Sequence, residues 1–174
     1  DPVGLLLSHR ADWAIVSDVE QNDDVLFKPL FSYEMVGICS KDHPLANKDV
    51  WQAEDFAEET WVTYPVPDDM LDLYRQVLKP KGINPPRRTT ELTIALIQLV
   101  ASRRGIATVP YWAALPYLEK GYVVARKITE EGLYSNLYAA IRKEDANLAY
   151  IEDFHQTVKA QSFSTLPGLS VLEL

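Results

Sequence analysis

The sequence is short of the residues that mark most catalytic, metal and nucleic-acid sites. It has 1 cysteine in 174 residues, so no disulfide can form within the chain. That residue, Cys39, ends the apolar run Met35-Val36-Gly37-Ile38-Cys39. The run reads as a buried strand, and burial would raise the thiol pKa and leave it unreactive, as suits a reducing compartment. The 3 histidines, His9, His43 and His155, lie far apart and lack metal-ligand spacing. His43 belongs to the turn Asp42-His43-Pro44, where a structural role is expected. With 7 glycines there is no phosphate-cradling loop, no dinucleotide fingerprint and no Gly-x-Ser-x-Gly elbow. No stretch approaches the roughly 20 apolar residues that cross a bilayer. The start, Asp1-Pro2-Val3-Gly4, does not read as a signal peptide. Basic residues are also outnumbered, 17 against 25 acidic ones, and the net charge of −8 would repel a phosphate backbone. Any contact with DNA is therefore expected from another part of a longer protein.

What is present is an alternation of short apolar strands and helices. Pro2 opens a short helix ending at Leu5-Leu6-Leu7, and Asp12 to Val16 reads as a buried strand. Val25 to Leu30 reads as a connection and Tyr33 to Cys39 as a strand covered on both faces. Asp49 is expected to cap a helix through Trp51 and Phe56, with Gln52 completing the box. Trp61 to Tyr64 is a strand broken by Pro65 and Pro67, after which Asp68 caps a helix striped by Leu71, Tyr74 and Leu78. That helix is expected to stop by Lys79, before Pro80 and Gly82. Arg87 to Thr90 is a short strand. Leu92 to Arg103 is a helix apolar nearly all round, with Gly105 in the left-handed position past it. Ile106 to Val109, Tyr122 to Ala125 and Leu137 to Ile141 read as strands, Tyr111 to Lys120 as a helix. Leu148 to about Lys159 is a last helix with Ile151, Phe154 and Val158 on one side. This rhythm predicts an α/β architecture with largely parallel sheets.

Four segments, in order, resemble the effector-binding (substrate-binding) domain of LysR-type transcription regulators. They are Arg10-Ala11-Asp12-Trp13-Ala14-Ile15-Val16, Lys28-Pro29-Leu30-Phe31 with Tyr33-Glu34-Met35-Val36, Asp42-His43-Pro44-Leu45-Ala46, and Leu96-Ile97-Gln98-Leu99-Val100-Ala101 closed by Arg104-Gly105-Ile106-Ala107 and Pro110. Thr63-Tyr64-Pro65-Val66, Gly132-Leu133-Tyr134-Ser135 and Leu137-Tyr138-Ala139-Ala140-Ile141-Arg142 look most like the branch of that family that regulates methionine biosynthesis. The resemblance covers residues 1 to about 160 and implies a two-lobed, periplasmic-binding-protein-like (type 2) α/β fold joined by two crossover strands. Lobe I would comprise residues 1–36 and 141–174, lobe II residues 37–140, with crossovers near Tyr33 to Ile38 and Leu137 to Ile141. The family's N-terminal winged helix-turn-helix DNA-binding domain, and the first strand, helix and strand of lobe I, would precede this chain. It further implies a cytoplasmic homodimer or homotetramer that meets promoter DNA only through that N-terminal domain, with RNA polymerase a candidate further partner. No membrane partner and no cofactor are implied; the expected ligand is a small-molecule effector, homocysteine or a related amino acid.

In open α/β sheets ligands sit beyond the carboxyl ends of strands. Here those ends carry Ser17 and Asp18; Thr63, Tyr64, Pro65 and Val66; and Thr90, Glu91 and Thr93. Helix N-termini nearby offer unpaired N–H groups to a carboxylate. An amino-acid carboxylate would meet N–H groups and hydroxyls near Val66 or Thr90 to Thr93. Asp18 or Glu91 would offset the ammonium, and Tyr64 would pack on the side chain. Each residue is equally a plausible cap or turn former. The pair Asp68-Asp69 reads as cap and dipole partners rather than catalytic acids, Trp13, Trp51, Trp61 and Trp112 as packing, and Arg87-Arg88 and Arg103-Arg104 as solvated strand and helix ends. The helix Leu92 to Arg103 is either an oligomer surface or buried in its own lobe. No catalytic residue emerges. Two other readings stay open: a transport-type solute-binding protein of this fold, and a lyase-type enzyme, which would need an acid/base pair in the cleft.

Overall fold

The computed structural model describes residues 1–172 and divides into two compact units. Unit 1 comprises Asp1–Tyr33 and Ser135–Leu174; unit 2 is the continuous segment Glu34–Tyr134.

Unit 1 opens with α1 (Pro2–Leu7), where the Asp1 carboxylate accepts the Gly4 N–H at 2.9 Å and Pro2 occupies the first turn. β1 (Ala14–Val16) pairs antiparallel with β8 (Leu133–Arg142) through Ile15↔Ala139. The expected burial of β1 is not found: Ile15 is 48% exposed, and its neighbours are half-buried. β2 runs from Val25 to Cys39, so the supposed connection Val25 to Leu30 is strand. Pro29 disguised it, yet a proline is accepted in a strand wherever its missing N–H is not needed by the ladder. The tail, silent in the sequence, supplies β9 (Leu169–Ser170), which pairs antiparallel with Ser32 and Tyr33 of β2.

The last helix, α4 (Ala149–Thr165), buries Ile151 as expected. It then turns His155 inward, 4% exposed, while Phe154 is 51% exposed with its ring edge-on to Trp13 at 5.2 Å. The small core of this unit joins Val3, Leu6, Val25 and Ala140. Around it Arg142 donates to the carbonyls of Leu6 (2.9 Å) and Ala11 (2.5 Å) and to the carboxylates of Asp12 (2.6 Å) and Asp145 (2.5 Å). One buried guanidinium thus satisfies the end of α1 and the entry to β1 together.

Unit 2 is a mixed sheet, not a largely parallel one. β6 (Ile106–Pro110) runs antiparallel to β2 and parallel to β4 (Trp61–Thr63), which is parallel to β5 (Arg87–Thr89). On the other side of β2 lies β7 (Val124–Ile128), antiparallel, followed by β3 (Val50–Trp51), parallel to β7. The long strand that enters the unit must therefore be crossed by neighbours of opposite direction, which a strict βαβ reading does not anticipate. β7 also starts later, and β8 four residues earlier, than the sequence pattern marks.

Two expected helices are replaced. After Asp49 comes β3, because Trp51 is wanted in the core: it is fully buried, pairs with Ile128 and donates its indole N–H to the Leu45 carbonyl at 3.0 Å. A single 3-10 turn, Ala53–Phe56, follows, with the Gln52 N–H held by the Asp55 carboxylate at 2.8 Å. After Pro67 the chain makes a 3-10 turn (Asp68–Met70), a π-helical turn (Tyr74–Leu78) and another 3-10 turn (Lys79–Lys81) that runs through Pro80 to Gly82 at φ 66°. The wider π turn shifts the helical phase. Leu73, Val77 and Leu78 consequently fill the core while Leu71 and Tyr74 flank it.

α2 (Thr93–Ala101) and α3 (Tyr111–Glu119) cover the sheet. Leu96, Ile97 and Val100 of α2 are fully buried within the unit, which accounts for much of that helix's apolar character; Leu92 and Ile94 stay exposed. Past α2 the left-handed residue is Arg103 (φ 58°), not Gly105. Gly105 (φ 152°) serves close approach instead, since a Cβ there would lie 2.3 Å from the Thr60 carbonyl oxygen.

Candidate functional site

Within unit 2 the structure joins four of the expected residues. β4 delivers Thr63, buried, whose carbonyl accepts the Thr90 N–H at 3.0 Å, extending the β4–β5 ladder by one bond. That bond fixes where the chain leaves β5 for α2. One residue further, the Tyr64 hydroxyl lies 2.6 Å from the Thr93 hydroxyl. Tyr64 itself is half-buried against the apolar group formed by Leu96, Ile97 and Val109. The end of β4 is thus tied to the first turn of α2 by one backbone and one side-chain bond.

The first α2 bond runs from the Leu96 N–H to the Leu92 carbonyl, and Leu92 brings no side-chain cap. The N–H groups ahead of Leu96 consequently have no acceptor within the helix, and they carry the positive end of its dipole. The one hydroxyl hydrogen not used in the Tyr64–Thr93 bond, together with this helix start, provides neutral donors suited to a carboxylate. Glu91 is exposed beside them. Pro65 and Val66 are exposed on the loop that follows Tyr64, where the Val66 N–H turns back to the Tyr64 carbonyl at 2.9 Å.

Ser17 and Asp18 belong to unit 1, just past β1, where the Ser17 hydroxyl donates to the Asp18 carboxylate at 3.2 Å; both are exposed.

Two residues near the site carry more than the sequence assigned to them. Asp68 does not cap a helix; its carboxylate accepts from the Arg87 guanidinium. Arg87 is not a solvated strand end: its Cζ lies 5.0 Å from the Trp61 ring centre and 5.1 Å from that of Tyr74. The signal lay in the strand register, because Arg87 stands beside Trp61 in the parallel β4–β5 pair.

Other polar residues have structural tasks. His43 accepts the Leu45 N–H on Nδ1 at 3.2 Å and sits 3.2 Å from Glu59 through Nε2, closing the turn before Pro44. Cys39 is buried, and that burial pushes its thiol up to about 11. Of the tryptophans, Trp51 and Trp61 are core residues, and Trp13 packs on Phe154. Among the described residues no group of three or more His, Cys, Asp or Glu side chains could hold a metal ion, and no helix is long and apolar enough to cross a membrane.

Comparison with known proteins adds the following. The model of the LysR substrate binding domain matches residues 1–162. A Haemophilus influenzae protein named HTH-type transcriptional regulator MetR is 85% identical over the whole of this chain, which covers 56% of that relative. The Salmonella typhimurium protein of the same name is 36% identical over 96% of this chain and 52% of its own length. The chain therefore spans about half the length of the curated relatives it matches. Among solved structures, the regulatory domain of MetR, a LysR family regulator from N. meningitidis, is similar at TM-score 0.92 and 65% identity over 99% of this chain and 80% of that one.

Proposed function

The chain belongs to the LysR substrate-binding domain family, and from that premise we propose that it senses homocysteine, or a related amino acid, for a regulator of methionine-biosynthesis genes. Its relatives are named as transcriptional regulators, not as enzymes or transport proteins. The observation that carries the ligand reading is the Tyr64–Thr93 contact, which sets an aromatic ring and two hydroxyls at the uncapped start of α2. The ligand carboxylate is met by the Thr93 region and the N–H groups that follow, the ring of Tyr64 packs on the side chain, and Glu91 balances the ammonium. Ser17 and Asp18 are the candidate contacts of lobe I, the part formed by residues 1–36 and 141–174, and Tyr64, Glu91 and Thr93 are those of lobe II, residues 37–140.

In the longer regulator the domain works in the cytoplasm as a homodimer or homotetramer. Promoter DNA is met through the N-terminal helix-turn-helix part, with RNA polymerase as a further partner. The net charge of −8 supports placing the DNA contact outside this chain. Effector control then requires that homocysteine bind two conformations with different affinity.

Isothermal titration of homocysteine, with methionine and homoserine as controls, tests the assignment. Selective binding of homocysteine, weakened about tenfold or more by Tyr64→Ala, is expected, because ring packing plus a hydrogen bond contribute roughly 1.5 kcal/mol or more. Unchanged affinity in the variant removes Tyr64 from the site; binding of none of the three amino acids removes homocysteine as effector.

A further inference from the structure

We propose that Arg87 is the positioning residue of this site, holding the loop after β4 in the shape that accepts the effector; the proposal rests on the effector reading above. The loop Pro65 to Met70 follows directly from Tyr64, and its 3-10 turn begins at Asp68, two residues beyond Val66. Arg87 opens β5, three residues before Thr90. One guanidinium therefore links the two chain segments that carry the candidate ligand contacts.

Its environment fixes it. Its Cζ lies 5.0 and 5.1 Å from the centres of the Trp61 and Tyr74 rings, its Nη1 donates to Asp68, and the side chain is only 21% exposed. Two aromatic contacts of this kind favour a flat, delocalised guanidinium over an ammonium on a flexible stem. The loop's other ionic tie, Lys79 to Asp69 at 2.6 Å, joins side chains 56% and 70% exposed. Pairs exposed on both sides hold little; with Arg87 21% and Asp68 46% exposed, the Arg87–Asp68 contact is the better sheltered of the two and serves as the anchor. Arg87 Nε is moreover buried without a hydrogen-bond partner.

Tyr74 belongs to the π-helical turn, so the anchor depends on the irregular helix as well as on the strand. Turns of that type recur at functional sites because they re-aim a side chain without ending the helix. Here the ring re-aimed is the one that covers Arg87.

The test uses the 174-residue chain with Arg87→Lys, Asp68→Asn and the double variant. Homocysteine affinity is read by titration, and the exchange of the Val66 and Asp68 to Met70 amides is read without ligand. Each single variant is expected to weaken binding roughly tenfold and to speed exchange in the loop, and the double variant to add little more, as for two halves of one contact. Wild-type affinity in Arg87→Lys overturns the proposal, as does loop exchange unchanged while melting temperature falls, which is the signature of a purely structural arginine. Absence of homocysteine binding by the unmodified chain defeats the effector reading instead. Arg87 is then judged on exchange alone: faster loop exchange supports the anchor, and unchanged exchange overturns it.

Discussion

Gly105 and Gly82 form a matched pair that separates two costs usually confused. Both have positive φ, 152° and 66°, but their surroundings differ. At Gly82 an added Cβ would meet nothing within 4 Å, so Gly82→Ala bears only the backbone penalty, about 1 kcal/mol. At Gly105 the same atom would stand 2.3 Å from the Thr60 carbonyl oxygen and 2.9 Å from Val62 Cγ2, whereas ordinary contact begins near 3.4 Å. The Thr60 carbonyl cannot retreat freely, because it accepts the Ile106 N–H at 2.9 Å, the bond that opens the β4–β6 pairing. A shift of about 1 Å there disturbs the register Trp61↔Ile106. Overpacking at roughly 1–3 kcal/mol added to the backbone term gives about 2–4 kcal/mol for Gly105→Ala. For a chain of this length that lowers the melting temperature by about 10 °C, against about 3 °C for Gly82→Ala. Urea titrations followed by tryptophan fluorescence report directly, since Trp51 and Trp61 are buried in the same unit. If Gly105→Ala proves no more costly than Gly82→Ala, the close approach to Thr60 is not what holds glycine there.

Two further outcomes concern titratable groups. His155 has its pKa lowered first by burial and then by Lys28, with Glu152 opposing and Lys159 adding to the fall. Its neutral form is thus favoured by folding, so unit 1 keeps its full stability above the unfolded value near 6.5 and loses some as pH drops from there through the lowered folded value. Denaturation midpoints of His155→Gln measured across that window should vary less than those of the unaltered chain; an equal slope would place the dependence elsewhere. Cys39, buried and shifted to about 11, should resist alkylation at pH 8 until denaturant is added. Rapid native labelling would mean that β2 opens locally.

Legibility of this fold depended on whether a local signal met a competing one. β4, β6 and α3 were readable because apolar runs there end at Pro65, Pro110 and Gly121 without ambiguity. β2 was half hidden, since Lys28-Pro29 reads as a break although the strand runs through it. The Asp49 helix was overridden by tertiary demand for Trp51, whose ring also packs so closely that a Cβ on Gly37 would lie 2.4 Å from it. On α4 the periodicity favoured Phe154, yet the slightly rotated face buries His155, a difference of one residue that hydropathy does not resolve. In the site, Tyr64 and Thr93 were accessible to the rule that ligands lie beyond strand ends, and their mutual contact came from structure. Arg87 was not accessible: a charge in an Arg-Arg pair looks solvated until the register sets it beside Trp61.

The nesting of one unit inside the other has a consequence for synthesis. Unit 2 is a single stretch of about a hundred residues, whereas unit 1 needs segments from both ends of the chain. Its β1–β8 pairing joins Ala14 to Ala140, so it cannot form until the ribosome has delivered nearly everything between. Closing an unstructured loop the length of unit 2 would cost about 4 kcal/mol, a large share of a small domain's stability. Once unit 2 has folded on emergence, that entropy is already spent, and the last forty residues meet a prepared connection rather than a coil. A lesion confined to unit 2 is therefore inherited by unit 1 as a folding delay, even where no contact of unit 1 has been touched.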